Sequence, residues 1–232
     1  MFYDSTFILL IPALILSLYA QYKVSSTFNK YSKVPNRNGY TGAEVARQLL
    51  MGAGIRDVQV EQVRGNLTDH YDPRSRVLRL SESVYNSASL SAVSVAAHET
   101  GHAIQHQEGY APLSFRTAIV PVVSFGSNLA PMLIILGLLF SSGSGGFGMT
   151  LLYTGIILFA GVVLFQLVTL PVEFNASNRA LELLETQHYL HDSEIQPATK
   201  VLRAAALTYV ASAATAIAQL LRFLLLAQRR RR

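Results

Sequence analysis

The chain reads as an α-helical integral membrane protein of three to four membrane helices, joined to a small α+β part on the cytoplasmic side that carries an H-E-x-x-H helix. Three observations predict this. Only 14% of the 232 residues are charged and 50% are hydrophobic, against about 25% charged in an average soluble domain. Residues 2–22, 117–140 and 149–172 are nearly uncharged apolar runs, each long enough to cross about 30 Å of hydrocarbon. The polar stretch between the first two runs changes repeatedly between helical and alternating periodicity, the mark of short packed elements.

In chain order, residues 2–22 form the first span. No basic segment precedes it and no small-x-small site ends it, so it reads as a retained anchor rather than a signal peptide. Lys23, Lys30, Lys33 and Arg37 follow it, which places the N-terminus outside and the chain from residue 23 in the cytoplasm. Residues 42–50 have helical periodicity, ended by Gly52 and Gly54. Residues 57–63 and 77–80 alternate and predict two short strands, with a turn-rich loop over 65–74. This strand pair offers either a structural hairpin over the next helix or an edge for an extended substrate. That helix is expected from about Leu90 to Glu108, stopping at Gly109.

Residues 117–140 and 149–172 are the second and third spans. Pro121 and Pro131 are tolerable in a membrane helix whose neighbours satisfy the freed carbonyls. The uncharged turn over 141–148 makes the pair a hairpin. Residues 204–227 are apolar but carry Thr208, Ser212, Thr215, Gln219 and Arg222 as one polar stripe. A fourth span with this stripe against other helices is favoured over an interfacial helix.

The chemistry concentrates in His98-Glu99-Thr100-Gly101-His102. Residues four apart share a helix face, so His98 and His102 can offer two imidazoles to one Zn²⁺. Glu99, one position round, is placed to hold a water as general base. The chain has no cysteine, which leaves His, Asp and Glu as metal ligands. Two membrane crossings return the chain to the side of this helix, so a third ligand is expected just after the third span. Glu173 stands there, after Pro171-Val172. His106 extends the spacing by another turn and is expected off the metal, either beside its ligands or solvated.

With these residues in place the chain resembles the gluzincins, and closely resembles the bacterial YugP-type neutral zinc metallopeptidases. The stretches TGAEVARQLL, VRGNLTDHYDPRSRVLRLSESVY, AAHETGHAIQHQEGYAPL, LPVEFNASNRAL and VLRAAALTYVASA carry the resemblance. More distantly, the order of motif helix, membrane hairpin and glutamate helix is similar to HtpX and the CAAX prenyl proteases. The resemblance implies a zincin-like cytoplasmic part and a multi-pass zinc metalloprotease of the bacterial cell membrane. Its active site would face the cytoplasm, with His98, His102 and Glu173 on zinc. Glu99 would activate the zinc-bound water that hydrolyses the peptide bond. HtpX-like enzymes carry an Asp four residues after the glutamate, where this chain has Ser177. Ser177, Asn178, Asp69 and Asp72 are the candidates to hold the zinc histidines in its stead. Gluzincins also need a donor for the oxyanion, for which His70, Tyr71 and Arg179 are the candidates.

The expected organisation is thus an anchor over 1–22, a cytoplasmic metalloprotease part over 23–116 and a hairpin of two spans over 117–172. A helix with the third ligand over 173–203 and an apolar helix with a basic tail over 204–232 complete it. The partners expected are protein or peptide substrates, membrane proteins among them, and the lipid bilayer. The net charge of +5 sits beside apolar segments, which suits an anionic lipid surface and excludes nucleic acid as the expected partner. The competing class is a non-catalytic membrane scaffold or adaptor with a structural zinc site, which would need a fourth protein ligand such as His106 or His70.

Overall fold

The computed structural model describes residues 5–141 and 146–231, so Asp4, most of the turn between the second and third apolar runs, and Arg232 lie outside the described residues. The chain divides into two compact units, one of Met1–Tyr19, Phe115–Leu170 and Tyr209–Arg232, the other of Ala20–Ser114 and Pro171–Thr208. The helices α1 (Ile11–Tyr31), α5 (Ala111–Phe140), α6 (Phe147–Thr186) and α7 (Asp192–Arg231) each contribute to both. No helix break marks residue 173 or residue 204, where the sequence suggested segment borders: α6 runs through the first and α7 through the second.

The first unit is built from apolar helix. Among the described residues, four helices are long and apolar enough to cross a membrane: α1 with the 3₁₀ turn Ser5–Leu10 before it, α5, α6 and α7. Their apolar side chains are mostly turned outward. Val122 and Ile157 are each 71% exposed, a surface that water would penalise and lipid would not. Inside, Ile134, Leu152, Ile156 and Ala227 pack together. Glycine sets how closely α5 and α6 approach: a Cβ on Gly137 would lie 2.5 Å from the backbone nitrogen of Leu152. Small residues permit such contacts between membrane helices, where dispersion replaces the hydrophobic drive. Two members of the polar stripe of α7 meet the N-terminal helical segment, Thr215 hydrogen-bonded to Ser17 of α1 at 3.2 Å and the Arg222 guanidinium 3.6 Å over the Phe7 ring of the 3₁₀ turn.

The second unit surrounds α4 (Leu90–Gln107), whose buried residues include Val93, Ala96, Ala97, Gly101 and Ala103. Ser89 Oγ accepts the Ala92 N–H at 3.2 Å and caps its start. Gly109, at φ +65°, supplies the left-handed residue just beyond its end. α2 (Gly42–Gly52) begins with a capping box in which Thr41 and Glu44 satisfy each other's backbone N–H groups. Its apolar face, Val45, Ala46, Leu49 and Leu50, is buried. On one side of α4 the core holds Leu78, Leu80, Val84, Ala92 and Ala96. On another side Tyr31, Leu90, Val93, Ala97, Ala180, Leu184 and Leu202 join α1, α4, α6 and α7.

The sheet differs from the hairpin suggested by the alternating pattern. β1 (Gln59–Val63) and β3 (Val77–Ser81) pair in parallel, and a third strand, β2 (His70–Asp72), pairs antiparallel to β3 in the order β1-β3-β2. The real hairpin is β2-β3. Its turn is held by Asp72, which accepts the Arg74 N–H at 2.9 Å and the Ser75 hydroxyl at 2.6 Å. β2 escapes a pattern search because it is three residues long and carries a histidine and an aspartate. The central strand is buried along most of its length, while β1 and β2 are edges.

Candidate metal centre

α4 and the segment of α6 after Pro171 bring His98, His102 and Glu173 together. Their ligand atoms all lie within 4.8 Å of one another. Glu173 Oε2 is 3.3 Å from His98 Nε2 and 3.4 Å from His102 Nε2. Donor atoms about 2.0–2.1 Å from one tetrahedral zinc stand about 3.3–3.4 Å from each other, the spacing of Glu173 to each histidine here. The charges fit as well. Glu173 is 2% exposed and Glu99 8% exposed, and two carboxylates this deeply set favour a cation beside them. His102 registers the same field. Burial alone would lower it, but the Glu173 hydrogen bond and charge, and then Glu99, hold it above the ordinary histidine value.

Gly101 makes the approach of the two helices possible. A Cβ there would lie 2.7 Å from the carbonyl oxygen of Ala176 and 3.2 Å from its Cα. A methyl group would therefore push α6 away and carry Glu173 from the histidines. The G of this H-E-T-G-H run is a packing requirement of the site.

Each imidazole is held from behind through Nδ1, which turns Nε2 toward Glu173. Ser177 Oγ lies 3.2 Å from His98 Nδ1, and the Gln105 amide oxygen lies 3.0 Å from His102 Nδ1. Gln105 is completely buried. Its amide nitrogen donates to Val172 O and to Asn175 Oδ1, both at 2.8 Å. Asn175 Oδ1 also accepts from Arg179 Nε at 2.8 Å, and Arg179 pairs with Glu108 at 2.7 Å. One polar relay thus runs from His102 through Gln105 and Asn175 to an ion pair between α4 and α6. Gln105 is not prominent in the sequence, yet a position three after His102 shares its helix face.

Glu99 is fixed by the sheet. Its Oε2 accepts the backbone N–H of Tyr71 at 3.0 Å, on the β2 edge. Tyr71 also reaches His106, whose Nδ1 is 2.8 Å from the phenol oxygen. Burial lowers His106, with Arg76 adding to it, and burial raises Tyr71. His106 is thus engaged by Tyr71 and stands outside the ligand group. His70 is exposed, with Nδ1 2.8 Å from Thr68 O and Nε2 3.4 Å from Arg79. The two aspartates considered as supports for the histidines are used elsewhere. Asp69 accepts the Ser81 N–H at 2.7 Å and its hydroxyl at 2.9 Å, and Asp72 closes the β2-β3 turn. Burial raises the Asp69 carboxyl against those two bonds.

The chain is similar to known proteins over nearly all of its length. The chain is 53% identical over 218 residues, 94% of each chain, to a protein of Bacillus subtilis (strain 168) named "Putative membrane protease YugP". No solved structure matches it. A family model described as "Putative neutral zinc metallopeptidase" matches residues 6–228. The match takes in both metal-facing helices and all four apolar helices, and the chain belongs to this neutral zinc metallopeptidase family.

Proposed function

We propose that this chain is a membrane-embedded zinc endopeptidase of the gluzincin type, acting on peptide bonds of protein substrates at the cytoplasmic face of the membrane. The observation that carries the reading is the trio of donor atoms within 4.8 Å of one another, with Glu99 on the same helix turn held by Tyr71 N–H. His98, His102 and Glu173 would hold the ion. When bound, zinc supplies a Lewis acid that polarises a carbonyl and acidifies water. The chain's own residues do the rest. Tyr71 N–H holds Glu99 Oε2, leaving Oε1 to take the proton of the attacking water and return it to the leaving amine. β2 is a sheet edge next to Glu99, and its backbone groups other than the Tyr71 N–H that holds Glu99 would serve an extended peptide laid alongside it. The zincin-like description of the second unit belongs to the same proposal.

Three protein ligands leave an open coordination position, as catalytic zinc requires. A structural zinc in a scaffold would need a fourth, and among the described residues the group contains three. Peptide hydrolysis by the detergent-purified chain, abolished by a chelator and restored by zinc, tests the reading. Undiminished cleavage after metal removal would overturn it.

Gln105→Leu keeps the volume but leaves His102 Nδ1 without its acceptor. Metal affinity is expected to fall about 10–100-fold, the usual cost of removing a partner behind a ligating histidine. Gln105→Glu keeps an acceptor for His102 Nδ1 but loses the two amide donations to Val172 O and Asn175 Oδ1, so it should recover only part of the affinity, as zinc titration of the two variants will show. Of the three oxyanion candidates, Arg179 is engaged by Asn175 and Glu108 and is assigned to the relay behind His102, which leaves Tyr71, its hydroxyl on His106, and His70 on the strand next to Glu99. His70→Ala is expected to lower kcat by about 10²-fold with metal affinity intact. Arg179→Ala should instead weaken metal binding through Gln105. Equal effects of both on kcat alone would defeat this division of roles.

A further inference from the structure

Away from the metal centre, the second unit contains a cavity of about 560 Å³ between α1 and α7. Four cations line it: Lys23 and Lys30 from α1, Lys200 and Arg203 from α7, with the Thr27 hydroxyl and the Tyr31 ring between them. No carboxylate lines it, and among the described residues none of the four cations has an ion-pair partner. Four like charges brought to one hollow repel one another, and beyond the Tyr31 ring 5.3 Å beneath the Lys30 ammonium no acidic group offsets them. Exposed lysines usually spread apart or meet acids. Here two helices distant in sequence aim theirs at one space. We propose that this cavity is a binding site for a phosphate group, that of an anionic phospholipid headgroup.

The chain pattern gives the reason for lipid. Lys23 is the first charge after the apolar run of α1, and Arg203 is the last before the apolar run of α7. Both helices are long and apolar enough to span, so the cations gather where hydrocarbon gives way to headgroups. Ala204 and Leu207 add an apolar side to the cavity, and Tyr22, 69% exposed, provides the amphipathic ring common at that depth. Basic pockets between membrane helices on the cytoplasmic side take anionic headgroups for these reasons. The back of Tyr31 belongs to the same packed cluster as Val93 and Ala97 of α4, so an occupied cavity would brace the helix that carries His98 and His102. The site does not depend on the hydrolytic reading and would stand if that reading failed.

The test uses the full chain in a nonionic detergent, titrated separately with short-chain phosphatidylglycerol, phosphatidylcholine and inorganic phosphate, with bound ligand read by native mass spectrometry. Phosphatidylglycerol is expected to bind and phosphatidylcholine is not. Lys200→Gln/Arg203→Gln should weaken phosphatidylglycerol about thirtyfold, from two lost interfacial cations. Lys23→Gln/Lys30→Gln, on the other helix, should do the same and decides the matter if the first pair fails to fold. Inorganic phosphate bound as well as the lipid, with the same dependence on both pairs, would support the anion site and assign it to a soluble phosphate. The proposal is overturned if neither anion binds or if both pairs bind like the wild type. It is also overturned if Arg56→Gln/Arg64→Gln, an equal loss of charge on exposed residues outside the cavity, weakens binding as much.

Discussion

Glu99→Gln is expected to hold zinc as the wild type does and to lose peptide hydrolysis by about 10³-fold or more, the upper range for a positioned general base. The substitution changes little else. Glutamine has the same length, and its amide oxygen can still accept the Tyr71 N–H that orients Glu99 at 3.0 Å. It cannot take a proton at neutral pH. Glu99 is not among the three metal-facing residues, so binding and chemistry should separate cleanly. Zinc content with kcat for a cleaved peptide gives both readouts on one preparation. Cleavage near the wild-type rate in this variant would remove Glu99 from the chemistry.

The second large effect belongs to Glu173. It is the only carboxylate in the metal-facing group and is 2% exposed. Glu173→Ala leaves two neutral imidazoles and no anionic donor, so affinity should fall by more than the roughly 10–100-fold that an outer partner costs. Activity should disappear with it. Glu173→Asp tests geometry rather than charge: its carboxylate retreats by one methylene from the two Nε2 atoms now 3.3 and 3.4 Å away. It should bind zinc more weakly than the wild type and more tightly than Glu173→Ala. Competition against a chelator of known affinity orders the three. Wild-type affinity in Glu173→Ala would assign the third position to another residue.

The sequence carried the helical part of this account because helix signals are local. The spacing of His98 and His102, the capping residues around α2 and α4, and the long apolar runs each describe their own segment. The polar stripe of α7 is local too, but which helix it meets is not: the Ser17 contact is visible only in the structure. Glu173 needed a further step, the return of the chain after two crossings, and that step is available because apolar length is readable. The sheet was less readable. Alternation marks β1 and β3 but says nothing of who pairs with whom, and the three-residue β2 lies inside a stretch rich in turn formers. The support of the histidines was legible in part: Ser177, a candidate by its position after Glu173, stands behind His98, whereas the uncharged Gln105 behind His102 carries no such cue and Asp69 is committed to Ser81. The helix-face rule points to Gln105, but only when the acceptor is allowed to be an amide.

Zinc content per chain tests the central claim most directly, measured on freshly detergent-purified wild type, His102→Ala and Glu173→Ala. The account predicts a near-stoichiometric ion in the wild type and its loss in both variants, because α4 and α6 each supply a ligand to one site. A wild type without zinc, or zinc retained at full content in Glu173→Ala, would contradict it.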